Sequence, residues 1–545
     1  MKVKIQHNKT YVEAWKSDDE KEKVLKHLKL IYSRREGKRI IYDHTENLYN
    51  RNEQSFPTGY LEQLAHEIEK YGIDIDGEDE RAYPRSTIHL PIKINHSESP
   101  DRVMQLSVSE KIRDNPVGMI IAPPGAGKSR AIKIIVSHFR VRTLVVVPTT
   151  KIQQQVYDMF ASEFGTNNVS RSFSGGGFLD DQTLKKKMKV TNRYRPKNID
   201  INADILDEGL TPEEKYLQEK GYEKINGKMI KVRRAIDGKA AKDKKSKYPP
   251  ILVICFNSLP NLPLEYLSSV ECLIVDEGHT ARNNTIQAAA LEMNNAAYRY
   301  FLSATNWADI KEDMKKLIAT TGSTIIHEEL PSEAIEAGII KKPHMRIVNT
   351  NNSDRLRKYL KGDDLIKLGI VGNAERNLQV CSLARELFAT EGRRIMICVW
   401  EDSHAMILQE SLRNMGINAH MYFSKLDTKE KERVDSIVSN STEPFIAICT
   451  IALGIGADTR GVDTIILADV RKATIQLLQR IGRGHRIMDG VTDLWVYDFK
   501  DGFNDTTYKW HAERQKTFND YYFKNESFTK RRASKFGITL KNVSD

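Results

Sequence analysis

The sequence predicts an α/β chain of two tandem lobes, each on a parallel sheet, with a small α+β unit in front. Short continuous runs rich in Ile and Val recur along most of the chain, as strands buried on both faces of a parallel sheet require. Amphipathic helical stretches alternate with these runs. The length, 545 residues, also suits three or four domains of about 150 residues each.

Residues 1–95 are expected to form an N-terminal accessory domain. A helical stretch from Asp18 to Tyr32 places Val24, Leu25, Leu28 and Ile31 on one face, and Arg39-Ile40-Ile41-Tyr42 reads as a strand. After Phe56-Pro57-Thr58-Gly59 a second helix carries Leu61, Leu64, Ala65, Ile68 and Tyr71 on one stripe and stops at Gly72. The first lobe, 96–330, has strands at Met119-Ile120-Ile121, Thr143–Val147, Ile251–Ile254 and Leu273-Ile274-Val275. The second, 331–513, repeats the rhythm at Arg394–Val399, Phe445–Cys449 and Thr464–Leu467, and 514–545 reads as a polar, aromatic-containing tail. Residues 166–250 interrupt the first lobe with Gly175-Gly176-Gly177, Lys185-Lys186-Lys187, Arg233-Arg234 and Lys242-Asp243-Lys244-Lys245-Ser246-Lys247, the composition of a basic insertion.

No apolar run approaches the ~20 residues that cross a bilayer, and the first residues lack the apolar core of a signal peptide. A soluble, intracellular, cytoplasmic protein with no membrane partner is expected. The five cysteines, Cys255, Cys272, Cys381, Cys398 and Cys449, form no Cys-x-x-Cys pair and sit in apolar segments, so they read as buried, reduced hydrophobes. The net charge of +11 favours a polyanionic partner, because each phosphate neutralised releases counterions.

The chemistry begins at Ala122-Pro123-Pro124-Gly125-Ala126-Gly127-Lys128-Ser129, between a strand and a helix. Small residues let such a loop wrap a phosphate chain with its N–H groups, and the helix N-terminus adds positive potential. Lys128 is placed to reach the β and γ phosphates of ATP and Ser129 to bind Mg²⁺; the usual first glycine of the pattern is Ala122 here. Asp276-Glu277 ends a later strand, where Asp276 can hold Mg²⁺ while Glu277 takes a proton from the attacking water.

Asp276-Glu277-Gly278-His279 resembles the DExH box of superfamily 2 helicases, and Ala122–Ser129 their motif I. Val147-Pro148-Thr149-Thr150 is similar to motif Ia, Ser303-Ala304-Thr305 to motif III, Thr450 with Gly454, Gly456 and Asp458 to motif V, and Gln479–Arg486 to motif VI. The resemblance implies two RecA-like lobes with ATP at their shared cleft. It implies Arg483 and Arg486 as arginine fingers, His279, Ser303 and Thr305 as the link from γ-phosphate to nucleic acid, and Gly456, Asp458 and Gln479 at the nucleotide beside Pro124–Ser129. Gln105, 22 positions before Gly127, stands where the family reads adenine. Pro148, Thr149, Asn257, Ser258 and Thr450 match positions that contact nucleic-acid phosphates, each also open to a strand-end or capping role.

The front module and Pro331–Ile340 resemble the phage UvsW and XPB-like group. This implies a DNA helicase or translocase that acts on single-stranded, forked or branched DNA, alongside replication or recombination proteins. An RNA-dependent ATPase and a nucleotide-gated clamp without unwinding are the alternatives. The basic insertion departs from the group's pattern. If the insertion meets phosphates, removing residues 180–247 lowers affinity for nucleic acid and flattens its salt dependence; an unchanged slope in a salt titration marks a passive elaboration.

Overall fold

The computed structural model describes residues 1–36, 39–84, 86–88, 90, 102–171, 222–225, 228–231, 248–305, 307–308, 310–351, 353–423, 426–450, 459–469, 474–488 and 490–543. Most of the segment read as the basic insertion lies outside these residues, apart from an antiparallel hairpin of Tyr222–Ile225 with Lys228–Lys231.

Two RecA-like lobes carry the architecture. The first sheet has eight strands in the order Lys541–Asn542, Thr324–Glu328, Val117–Ile121, Tyr298–Ser303, Cys272–Asp276, Thr143–Val147, Ile251–Cys255 and Val169–Ser170. Every pairing in it is parallel. The second has six, in the order Lys342–Asn349, Asp493–Lys500, Thr464–Leu467, Arg394–Cys398, Phe445–Cys449 and His420–Tyr422, again all parallel. The continuous apolar runs are the inner strands: Thr143–Val147, Ile251–Cys255 and Phe445–Cys449 are buried along their whole length. Helices on both faces leave no solvated side for polar residues to occupy.

The front unit is a four-stranded sheet, Ser55–Pro57, Lys9–Ala14, Lys2–Ile5 and Asp76–Asp79, with two helices and a separate hairpin. The expected helix over Asp18–Tyr32 is shorter. Ser17 caps it by accepting the Glu20 N–H at 3.1 Å, and acidic residues fill its first turn, but it ends at His27. From Lys29 the chain is a strand, paired with Arg39–Asn47. The helical spacing of Val24, Leu25 and Leu28 stops there, and Leu30 buried beside Ile31 exposed follows the two-residue period of a strand. The second helix, Leu61–Glu69, buries Leu64 and Ile68 as expected, and Gly72 with φ +67° follows it. The unit docks on the helix Lys311–Thr321 through Lys315 to Glu67 at 3.0 Å and Tyr32 to Asp313 at 3.3 Å.

The residues after 513 do not trail away from the second lobe. They continue the helix Asp505–Tyr522, turn into the helix Phe528–Ser534, and end as the edge strand of the first sheet beside Thr324 and Ile325. The long helix is fixed to the second lobe by the buried Asp498 carboxylate, which accepts from His511 Nδ1 at 2.8 Å and Arg514 Nε at 2.9 Å. All five cysteines are buried and free, and no helix among the described residues is long and apolar enough to cross a membrane.

Asp498→Ala strands a guanidinium inside the protein without its carboxylate. A loss of about 3–5 kcal/mol is expected, read as a lower urea midpoint of the second lobe.

Candidate functional site

Parallel pairing sends the C-terminal ends of the first lobe's strands to one edge, where open α/β sheets bind ligands. Val117–Ile121 runs into the glycine loop, Thr143–Val147 into Pro148 and Thr149, and Ile251–Cys255 into the turn holding Asn257 and Ser258. Cys272–Asp276 delivers Asp276, Glu277 and His279, and Tyr298–Ser303 delivers Ser303 and Thr305. These sequence-predicted residues therefore share one rim, although up to about 180 positions separate them; Gln105, on a helix, is not among them.

The loop turns through Gly125 at φ +94° and Gly127 at φ +90°, left-handed conformations that glycine adopts without a Cβ clash. Gly127 caps the helix Lys128–Phe139, so the first-turn N–H groups at Lys128 and Ser129 face the cleft without intrahelical partners. The Lys128 ammonium donates to the carbonyls of Ala122 at 3.0 Å and Pro123 at 3.2 Å. Withdrawal from water lowers its pKa, opposed by the charges of Glu277 and Asp276 and assisted by Arg486 and Arg483.

Asp276 accepts the Glu277 N–H at 3.1 Å. Withdrawal from water, then the neighbouring Glu277 charge, raises its pKa. Glu277 behaves oppositely: desolvation pushes it up, but the hydrogen bond and charge of His279, with Lys128 and Arg483, outweigh that and hold it well down. Its backbone lies at φ 57°, ψ 56°, a left-handed conformation that costs a non-glycine residue about 1–3 kcal/mol. That turn aims the carboxylate at a small network. Ser303 Oγ donates to Glu277 Oε2 at 3.2 Å, His279 Nδ1 lies 3.1 Å from Ser303 Oγ and 3.3 Å from Glu277 Oε2, and the Thr305 N–H donates to Ser303 Oγ at 3.0 Å. The DExH box and the Ser-Ala-Thr segment are thus one hydrogen-bonded unit.

The second lobe meets this rim through the helix Thr474–Arg483 and the turn after it. A Cβ on Gly482 would stand 2.3 Å from Pro124 Cγ, so the lobes touch where only glycine fits. Arg483 is partly buried, and its Nε has no hydrogen-bond partner among the described residues. Withdrawal from water lowers its pKa to about 10, with Glu277 and Asp276 pulling the other way. Arg486 reaches the same place, its Cγ 3.5 Å from where a Cβ on Gly125 would lie, and its backbone bridges to Ile340. Lys128, Asp276, Glu277, Arg483 and Arg486 are therefore brought together.

Other predicted residues are placed differently. Thr149 Oγ1 accepts the Ile152 N–H at 3.3 Å and so caps the helix Thr150–Phe164. Asn257 is exposed and Ser258 partly buried. Thr450 is buried at the end of its strand, its N–H bonded to the Tyr422 carbonyl at 3.1 Å, and Gln479 lies partly buried on the helix Thr474–Arg483. Gln105 lies in the helix Arg102–Lys111, while Gly454, Gly456 and Asp458 fall outside the described residues. Sequence reasoning missed the ion pair between Lys151 of the first lobe and Asp435 of the second. It also missed His485, buried inside the motif-VI-like run at the seam. An isolated lysine in a helix carries no local signal that its partner lies 284 positions away.

Residues 98–306 match the model of the type III restriction enzyme res subunit, and residues 379–488 match the helicase conserved C-terminal domain. Across its two lobes the chain resembles a superfamily 2 helicase. The ATP-dependent DNA helicase UvsW of Enterobacteria phage T4 is 24% identical over 284 residues, 51% of this chain and 55% of that protein. A protein of Sulfolobus islandicus filamentous virus is 26% identical over 249 residues, 43% of each chain. The chain thus spans about half the length of the curated relatives it matches. The T4 UvsW crystal structure aligns over 100% of this chain and 99% of its own, at 15% identity and a TM-score of 0.37.

Gly482→Ala places a methyl group into Pro124 and should part the seam between the lobes. The expected outcome is faster amide hydrogen exchange at residues 125–127 with the sheet strands unchanged; unaltered exchange there means the contact holds nothing.

Proposed function

We propose that the chain is an ATP-driven motor that moves along DNA and remodels forked or branched DNA. The observation that carries this reading is the convergence of Lys128, Asp276 and Glu277 from one sheet with Arg483 and Arg486 from the other. A hydrolytic site split between two bodies turns each cycle of nucleotide binding and release into relative motion of those bodies. The name of the T4 relative, an ATP-dependent DNA helicase, supports DNA as the track.

The residues fit a nucleotide with its metal. Among the described residues no cluster of three His, Cys, Asp or Glu exists, so an all-protein metal cage is absent there. Mg²⁺ is ordinarily held by one or two protein groups together with substrate phosphates and water, and the carboxylate of Asp276 with the Ser129 hydroxyl supplies such a pair. The metal would neutralise charge on the phosphates. Asp276 is withdrawn from water beside the Glu277 charge, which raises its pKa, and a bound cation would favour its ionised form.

In the proposed cycle Lys128 exchanges its loop carbonyls for the β and γ phosphates. Glu277, kept ionised by its depressed pKa, orients the attacking water and accepts its proton. Arg483 and Arg486 steady the charge that develops on the transferred group, a role worth about 10³–10⁵ in rate. His279, Ser303 and Thr305 connect Glu277 to the rim where Pro148, Thr149, Asn257, Ser258 and Thr450 would meet the nucleic-acid backbone. Contacts of that kind go mainly to phosphates and set register rather than sequence preference.

Steady-state ATP hydrolysis measured without nucleic acid and with single-stranded DNA, forked DNA or RNA, at one salt concentration, tests this reading. Stimulation greatest with forked or single-stranded DNA is expected, and Glu277→Gln should bind ATP yet turn it over about 10²–10⁴ times more slowly. Stimulation by RNA alone, or near-normal turnover in Glu277→Gln, overturns the corresponding part.

A further inference from the structure

Between the two catalytic halves runs a line of aromatic rings of which only His485 belongs to a motif-like segment. Trp307, two residues beyond Thr305, packs its ring 4.7 Å from that of Phe528. Phe528 lies 5.8 Å from Tyr521, and Tyr521 lies edge-on to Tyr522 at 4.9 Å. Tyr522 in turn meets the His485 imidazole at 5.2 Å and 88°. The Tyr521 hydroxyl also donates to the Ala304 carbonyl at 3.4 Å, inside the Ser-Ala-Thr segment. Two consecutive residues at the end of one helix therefore touch the γ-phosphate-sensing segment of the first lobe and the arginine-bearing turn of the second.

All five side chains are buried. A packed interior of this density passes a displacement on rather than absorbing it. The same line holds buried polar atoms without hydrogen-bond partners among the described residues, Trp307 Nε1 and Tyr522 Oη, while the His485 imidazole faces the Pro124 backbone. Buried orphans disfavour the arrangement that holds them, so a second arrangement that pairs them is favoured once the seam moves. The Tyr522 and His485 rings already meet edge-on, so a shift at the seam can bring the Tyr522 hydroxyl to a new partner. Two discrete arrangements of one contiguous network are the physical requirement for coupling.

We propose that Trp307, Phe528, Tyr521, Tyr522 and His485 form a relay of positioning residues that ties the placement of Arg483 and Arg486 to the state of the Ser303–Thr305 segment. This rests on the motor reading above. The relay acts through the arginines and the Glu277 network and touches no reacting atom. Its consequence is that nucleic acid bound at the rim sets how completely the arginines close, and so how far hydrolysis is stimulated.

The test compares wild type with Tyr521→Leu and Tyr521→Phe by thermal midpoint, KM for ATP, and kcat with and without single-stranded or forked DNA. Tyr521→Leu should keep basal kcat and KM within about twofold and lose about fivefold to tenfold of the stimulation, the range of ordinary site-to-site coupling. Tyr521→Phe, which keeps the ring, should recover most of it. Equal falls in basal and stimulated kcat, or undiminished stimulation in Tyr521→Leu, overturn the relay. A stimulated wild type with equally stimulated variants removes the relay alone. A wild type that hydrolyses ATP without any response to nucleic acid removes the relay together with the motor reading.

Discussion

Three cationic side chains, Lys128, Arg483 and Arg486, act electrostatically on two adjacent carboxylates, Asp276 and Glu277, at the seam between two sheets. The cations outnumber the carboxylates by one, so the site carries a local excess of positive charge. The site is thus built to be completed by an anion. In the proposed reading a polyphosphate would supply that anion and draw both lobes onto itself, because each lobe contributes part of the cationic excess. Lobe closure and nucleotide recognition are then one electrostatic event. The strained backbone at Glu277 belongs to the same economy of charge: the left-handed turn places its carboxylate among His279, Ser303, Lys128 and Arg483, whose combined pull keeps it ionised.

That arrangement depends on parallel pairing. Because Tyr298–Ser303 lies between Val117–Ile121 and Cys272–Asp276, the glycine loop, the Ser-Ala-Thr segment and the DExH box emerge side by side. Ser303 is the register partner of Ile121, the last strand residue before the loop, and Leu302 that of Asp276. A slip of one residue would turn Ser303 to the other face and break its bond to Glu277. The hydrogen-bonded network linking Ser303 to Glu277 is therefore fixed by strand register.

What the sequence made legible follows from the range of the signals. The strands at 143–147, 251–255, 394–398 and 445–449 are apolar runs whose burial on both faces leaves a local trace. The glycine loop and the Asp-Glu pair are equally local, since their chemistry needs particular neighbours. The break at Leu28 was obscured because Ile31 satisfies both a helical and an alternating pattern. The contacts of Lys151 with Asp435, Pro124 with Gly482, and Tyr522 with His485 are products of topology. The aromatic-rich segment after 513 showed its composition in the sequence, but its destination only in three dimensions.

That destination changes what motion the lobes can undergo. The chain passes from the first lobe to the second through Pro331–Glu336 and enters the second sheet at Lys342. There the buried Lys341 ammonium is held by the carbonyls of Arg460 at 2.9 Å and Val462 at 2.6 Å, and loss of water pushes its pKa down to about 8. The C-terminal segment then crosses back, anchored at Asp498 on one side and on the first sheet's edge by Lys541 and Asn542 on the other. Two lobes joined by one linker could separate and rotate freely. Joined twice, they retain chiefly the motion that leaves both crossings intact. The helix Pro331–Glu336 also packs against Asp505–Tyr522, so the crossings brace each other. A hinge restrained in this way converts the gain or loss of one phosphate contact into a small displacement along a set direction, because the alternative directions would tear buried packing apart.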